Sequence, residues 1–329
     1  MPNWGELLDE TRALGSPWDV VRRKHLERLA EYTGRNVIVY YSGWLQKPDA
    51  SAAVVQVNDN DKNGLMATIH QLDRAKGLDL LLHTPGGDTA ATESIVDYLR
   101  SMFGTDIRAI VPQLAMSAGT MIAMSCGEII MGTHSSLGPI DPQFGGVAAH
   151  AVVEEFKRAL EEVQANPATT PIWQVIVSRY NPTLIGECER SIKWSEEMVH
   201  DWLKTGMFRQ NDDADALAAT VVAAFADHDL TRAHGRHISM AKAVELGLPI
   251  TALEGDQELQ DRVLTVHHAC AHTLAASAAV KLIENHNGIA FIQSEPVLLT
   301  PQLLAAAAKQ DEADDDAEPP LVEQLDSQA

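Results

Sequence analysis

Apolar residues recur along this chain with two periods, and the elements follow from them. "WDVVRRKHLERLAEYTG" from Trp18 repeats at helical spacing, with Gly34 placed to end the helix. "NVIVYYSG" from Asn36 is a β-branched and aromatic strand. "GLMATIHQLDRAKG" predicts a short amphipathic helix, and "LDLLLHTPGG" a buried strand ending in a glycine turn. "DTAATESIVDYLRSMFG" predicts a helix capped by Asp88, with Ile95, Val96, Leu99 and Met102 on one face. "DIRAIVP" is another strand, "SAGTMIAMSCG" an uncharged helix, and "EIIMG" a further short strand. Strand, turn and helix joined by short links predict an α/β fold, a parallel sheet with crossover helices.

After "SSLGPIDPQFGG" the pattern becomes helical. "AHAVVEEFKRALEEVQ" is a helix, residues 166–229 read as mainly helical, and "HGRHISMAKAVELGLPI" couples a basic, histidine-rich loop to a small helix ending at Gly247. "RVLTVHHACAHTLAASAAVKLIENHNG" reads as one further helix. From Lys309 the chain is acidic and proline-broken, the signature of disorder. The expected segments are 1–35 (N-terminal helical), 36–165 (α/β core), 166–255 (helical insertion and core-closing segment), 256–308 (C-terminal helical) and 309–329 (disordered acidic tail). The uncharged run from Ile110 to Gly127 imitates a membrane span. Pro112, Gln113 and the lack of a basic flank favour a strand followed by a buried helix, so no stable membrane insertion is expected.

Composition narrows the function. Of 329 residues, 45% are hydrophobic and 22% charged, enough for a sizeable core. The net charge of −21 repels phosphate backbones, so nucleic acid is not an expected partner. Cys126, Cys188 and Cys270 show no paired spacing, and the N-terminus has no apolar signal core, so a cytoplasmic protein with reduced thiols is expected. No GxxxxGK[ST] loop occurs, so any ATP-driven unfoldase is a separate chain. His268 and His272 stand one helical turn apart without a third ligand at suitable spacing; no metal and no cofactor are expected.

Two turns carry candidate chemistry. In "TPGGDT", Gly86 and Gly87 lie between strand and helix, where uncovered amides and the helix dipole can hold an oxyanion. In "MSAGT", Ser117 lies at a second strand-to-helix junction, with the Ala118 amide beside it and small neighbours that admit a substrate backbone. Alone, the first is an ordinary glycine turn and the second an ordinary N-cap. Together, adjacent parallel strands would bring both helix starts to one sheet edge, where open α/β sheets bind ligands. Met116, Met121 and Met124 are expected to pack the helix under the serine.

"HTPGGDT", "AMSAGTMIAMS", "SSLGPIDPQ" and "GRHISMAKAVELGL" resemble the ClpP/crotonase superfamily, and more narrowly the serine dehydrogenase proteinase family, related to signal peptide peptidase A and the stomatin-operon proteases. The resemblance spans residues 36–165 and extends over most of the chain before the acidic tail. It implies a ClpP/crotonase-like fold of repeated β-β-α units with added helical segments. It also implies a metal-independent serine endopeptidase acting on peptides or unfolded protein as a homo-oligomer. Ser117 matches the nucleophile; Gly87, with Gly86, matches the oxyanion turn; Ala118 supplies the second amide.

The base stays open. "SSLGPIDPQ" offers Asp141 but no histidine, so a Ser-His-Asp arrangement looks broken at that place. The lysine-using relatives point to Lys157, a base that burial must strip of its proton. As a solvated helix lysine it would pair with Glu154 or Glu161 instead. Lys193 and His134 are the alternatives. His83 reads as a packed strand end, and His234 and His237 belong to the closing loop without an assigned role. Two rival functions remain: a crotonase-type acyl-CoA enzyme, which would need a carboxylate such as Asp88 or Glu93 at the hole, and a catalytically silent scaffold or regulatory partner.

Overall fold

The computed structural model describes residues 18–227 and 233–294, which lie within one compact unit. Helix α1 (Trp18–Thr33) leads into β1 (Asn36–Ser42), then the short α2 (Ala52–Val55) and α3 (Asn60–Ile69). Next come β2 (Leu78–His83), α4 (Thr89–Phe103), β3 (Ile107–Val111), β4 (Leu114–Ala115), α5 (Ala118–Met124) and β5 (Glu128–Met131). After β6 (Ser136–Leu137), a small hairpin, β7 (Gln143–Phe144) and β8 (Val147–Ala148), opens helix α6 (Ala149–Ala165). The helical part continues with α7 (Thr170–Val177), α8 (Leu184–Thr205) and α9 (Ala214–Ala226). The chain returns through β9 (Ile238–Ser239), α10 (Met240–Glu245), β10 (Ile250–Ala252), α11 (Gln257–Ala276), β11 (Ala279–Asn285) and β12 (Ala290–Ser294).

The main sheet has the order β10-β5-β3-β2-β1-β11-β12. Strands β10 to β1 run parallel; β11 and β12 are antiparallel additions at one edge. Every residue of β1 and β2 is buried, as expected of strands covered on both faces. On one face lie α1 and α11, packing Leu26, Leu29, Val266 and Leu274 onto Val39, Tyr41 and Leu81. On the other lie α3, α4 and α5, with Ile95, Val96 and Leu99 of α4 buried against Leu80 and Leu82. Each of those side chains contributes roughly 1.5–3 kcal/mol of apolar burial.

Two readings from the sequence change here. The stretch taken as one long helix breaks after Ala276: Ala279–Asn285 is a fully buried strand paired antiparallel with β1. "GLMATIHQLDRAKG" is helical to Ile69 and then turns, with a single 3₁₀ turn at Arg74–Lys76. The uncharged run from Ile110 divides into the end of β3, the two-residue β4 and the seven-residue α5, all of whose residues are buried. Among the described residues no helix is long and apolar enough to cross a membrane. The expected boundary near residue 256 falls at the start of α11, and residues 1–17 and 295–329 lie outside the described residues.

Candidate active site

Beyond the main sheet the end of β2 is joined to β4. Thr84 donates its amide to the Leu114 carbonyl (3.1 Å) and accepts the Met116 amide (3.0 Å). That bridge sets the two turns side by side. Gly86 takes φ +99°, and a Cβ there would stand 2.6 Å from Ser117 Cβ and 2.8 Å from the Met116 carbonyl oxygen, so only glycine fits. The turn is held from behind by Val57, whose amide donates to Gly86 O (2.8 Å) and whose carbonyl accepts from Asp88 N (2.9 Å). With Gly86 and Asp88 both facing Val57, the Gly87 amide between them points the other way. Asp88 then caps α4, its Oδ1 accepting from Ala91 N at 2.7 Å.

Ser117 sits at φ 51°, ψ −115°, one of two non-glycine residues with positive φ among those described. Such a backbone costs of order 1–3 kcal/mol and persists only where the surroundings enforce it. Its hydroxyl makes no capping bond at the start of α5, which sets aside the N-cap reading. A strained strand-to-helix junction of this kind can hold a side chain clear of both elements, although the flanking Ala115 departs from the G-x-S-x-G pattern of a nucleophile elbow. Ala118 supplies the first helical amide, a donor without an intrahelical partner. Gly119 is small because Thr84 Cγ2 lies 2.5 Å from where its Cβ would be. Thr120 Oγ1 donates to Ala115 O (2.7 Å) and accepts from Gly138 N (2.8 Å), locking the "LGPID" loop against the same helix.

Gly87, Ser117 and Ala118 face a cavity of about 520 Å³ whose floor includes Met121 and Ile140. Asp141 and His234 line it too. His234 Nδ1 lies 2.8 Å from Asp141 Oδ1. The aspartate side chain is fully buried and the histidine about 20% exposed. Asp141 Oδ2 is buried without a hydrogen-bond partner among the described residues. A buried carboxylate left partly unsatisfied is costly, so its hydrogen bond with His234 matters to it.

The model of the ClpP-like SDH-type serine proteinase family matches residues 52–259. The chain belongs to that family. Two relatives from Methanocaldococcus jannaschii are similar to it: the uncharacterized protein MJ1495, 28% identical over 190 residues, and the uncharacterized protein MJ0137, 37% identical over 108 residues. These matches cover 58% and 33% of this chain, and the chain spans 57% and 36% of the two relatives.

In this member of the proteinase family neither lysine candidate lines the serine cavity. Lys157 is exposed on α6 and lines a separate apolar groove with Val153, Phe156 and Trp173. Lys193 is 74% exposed and pairs with Glu197 at 3.7 Å. His134 is exposed in the turn after β5, outside the serine cavity. The lysine that burial does push down is Lys281 of β11, with Asp61 acting against the shift; it is also outside the cavity lining. Among the described residues no group of three or more His, Cys, Asp or Glu is placed to hold a metal, and His272 stacks on Trp18. The sequence named Asp141 and His234 but did not join them. The available signal was the "HGRH" loop, 93 residues from its aspartate.

His83 closes β2 just before the turn, packed against Trp44, Tyr41 and His267. Burial pushes its pKa from 6.5 down to about 3, opposed weakly by the Leu114 backbone. The folded state therefore resists a proton that the unfolded chain accepts. Stability from this site is complete above pH 6.5 and is lost progressively as pH falls from 6.5 toward 3. Thermal midpoints measured across that range should fall with acidification, and less steeply in His83→Gln. Equal slopes for the two proteins would rule out this source.

Proposed function

We propose that this chain is a serine peptidase with Ser117 as nucleophile, His234 as general base and Asp141 as the group that orients the base. The observation that carries this reading is the shared cavity: a strained, uncapped serine, two outward amides and a histidine held by a buried carboxylate all face one space. The His234–Asp141 bond is best read as Nδ1–H donating to the carboxylate, which leaves Nε2 free to take the serine proton. Ser117 Oγ then attacks the peptide carbonyl, and the proton passes to Nε2. The developing oxyanion is held by the Gly87 and Ala118 amides, with Gly86 giving the turn its shape. Collapse of the tetrahedral intermediate expels the amine, which takes the proton from Nε2. Water repeats the sequence on the acyl-enzyme.

The geometry supports this triad better than a Ser117–Lys157 dyad within one chain, because the base must reach the serine. The family comprises serine proteinases, and the open cavity suits an extended peptide or an unfolded segment. By the same family likeness the working form is a homo-oligomer; a monomer in light scattering would remove that part.

A fluorophosphonate probe tests the assignment. It should label the intact chain at Ser117 and leave Ser117→Ala unlabelled, with peptide cleavage lost alongside. Turnover of an enoyl-CoA without labelling would move the protein to acyl-CoA chemistry.

A further inference from the structure

The oxyanion turn is not self-supporting. Its back rests on Val57, and a Cβ at Gly87 would come within 2.3 Å of the Val57 amide nitrogen, so the two backbones are in direct contact. Val57 follows the four-residue α2 and lies in an irregular link between α2 and α3. In an extended segment, alternate residues present their polar groups to opposite sides. Val57 faces the turn, so Gln56 O and Asn58 N face away from it. Both are captured by one buried ion pair. Lys281 Nζ donates to Gln56 O (2.7 Å) and to Asp61 Oδ1 (2.7 Å) and Oδ2 (2.9 Å). Asp61 Oδ2 accepts from Asn58 N (3.0 Å) and from the Tyr40 hydroxyl. The Lys281 and Asp61 side chains have no solvent exposure.

Such a pair is a poor device for stability alone, since desolvating two ions offsets most of their attraction and apolar replacements are often as stable. Its value lies in where it holds the chain. We propose that Lys281 and Asp61 are positioning residues for catalysis: they clamp Gln56 and Asn58 so that Val57 fixes the Gly86–Gly87–Asp88 turn and aims the Gly87 amide at the oxyanion. The proposal rests on the reading of Gly87 as an oxyanion donor. Lys281 and Asp61 lie outside the lining of the serine cavity, so their loss acts on transition-state stabilisation more than on binding.

The test uses the full chain with Lys281→Met combined with Asp61→Asn. The pair of changes removes both charges and the donor to Gln56 O, and keeps an acceptor for Asn58 N and the Tyr40 hydroxyl. The expected result is a folded protein by circular dichroism, KM within about 3-fold of wild type and kcat lowered about 10- to 100-fold, as for a small misplacement of a catalytic group. A folded variant with wild-type kcat, or with a raised KM alone, overturns the proposal. If the double variant does not fold, Tyr40→Phe loosens the same clamp by one hydrogen bond. A fall of about 3-fold in its kcat at constant KM is expected, and an unchanged kcat overturns the proposal. Ser117→Ala runs in parallel: activity surviving in that protein would sink the active-site reading itself, whereas a dead Ser117→Ala beside a fully active double variant would sink only the clamp.

Discussion

Ser117→Ala is expected to lower kcat for peptide cleavage by about 10⁴- to 10⁶-fold, the range seen when a triad nucleophile is removed and only binding and oxyanion stabilisation remain. The fold should not suffer. The hydroxyl caps nothing at the start of α5, and alanine fits beside Gly86 as serine does. Loss of turnover together with an unchanged thermal midpoint therefore reads as loss of chemistry. Retained cleavage in a purified, unlabelled Ser117→Ala protein would place the nucleophile elsewhere.

The second large effect separates the two bases. His234→Ala should cost about 10⁴- to 10⁶-fold in kcat, as loss of the nucleophile does, and Asp141→Asn about 10⁴-fold, because the amide can neither hold the useful tautomer nor balance the imidazolium. Lys157→Ala should stay within about 3-fold of wild type, as for an exposed residue outside the cavity. The reverse pattern, a silent His234→Ala with a dead Lys157→Ala, would restore the lysine dyad and require its side chain to arrive from another copy. Steady-state kinetics on one peptide substrate decide the matter. The two histidine-pair variants should also be non-additive, since each disables the same unit.

The parts of the site that were legible in the sequence are local. A double glycine and a small-flanked serine, each between a strand run and a helix run, show their turn character within a few residues. The parallel strand order then places the two turns together. The proposed base, His234, was not legible because its position is set by pairing across a long interval. Strand β9 runs antiparallel to β6, with Ile238 opposite Leu137 and Ser239 opposite Ser136. That register carries the preceding "HGRH" loop back to the Asp141 loop, and no local pattern encodes it. Strand β11 was hidden for a different reason. It continues an alanine-rich helical pattern and carries Lys281 and Glu284, charges that ordinarily mark a surface. Here each is fully buried, with Asp61 as partner to the lysine and Arg22 to the glutamate.

The backbone at Ser117 has one more consequence. Glycine would adopt φ 51° without the penalty that a β-carbon brings. A chain evolved for heat resistance alone would therefore drift toward glycine at this position and gain tolerance to temperature as it lost its hydroxyl. On the proposed reading, the nucleophile is thus a residue the fold would be sturdier without, and thermostability and catalytic power pull this single position in opposite directions.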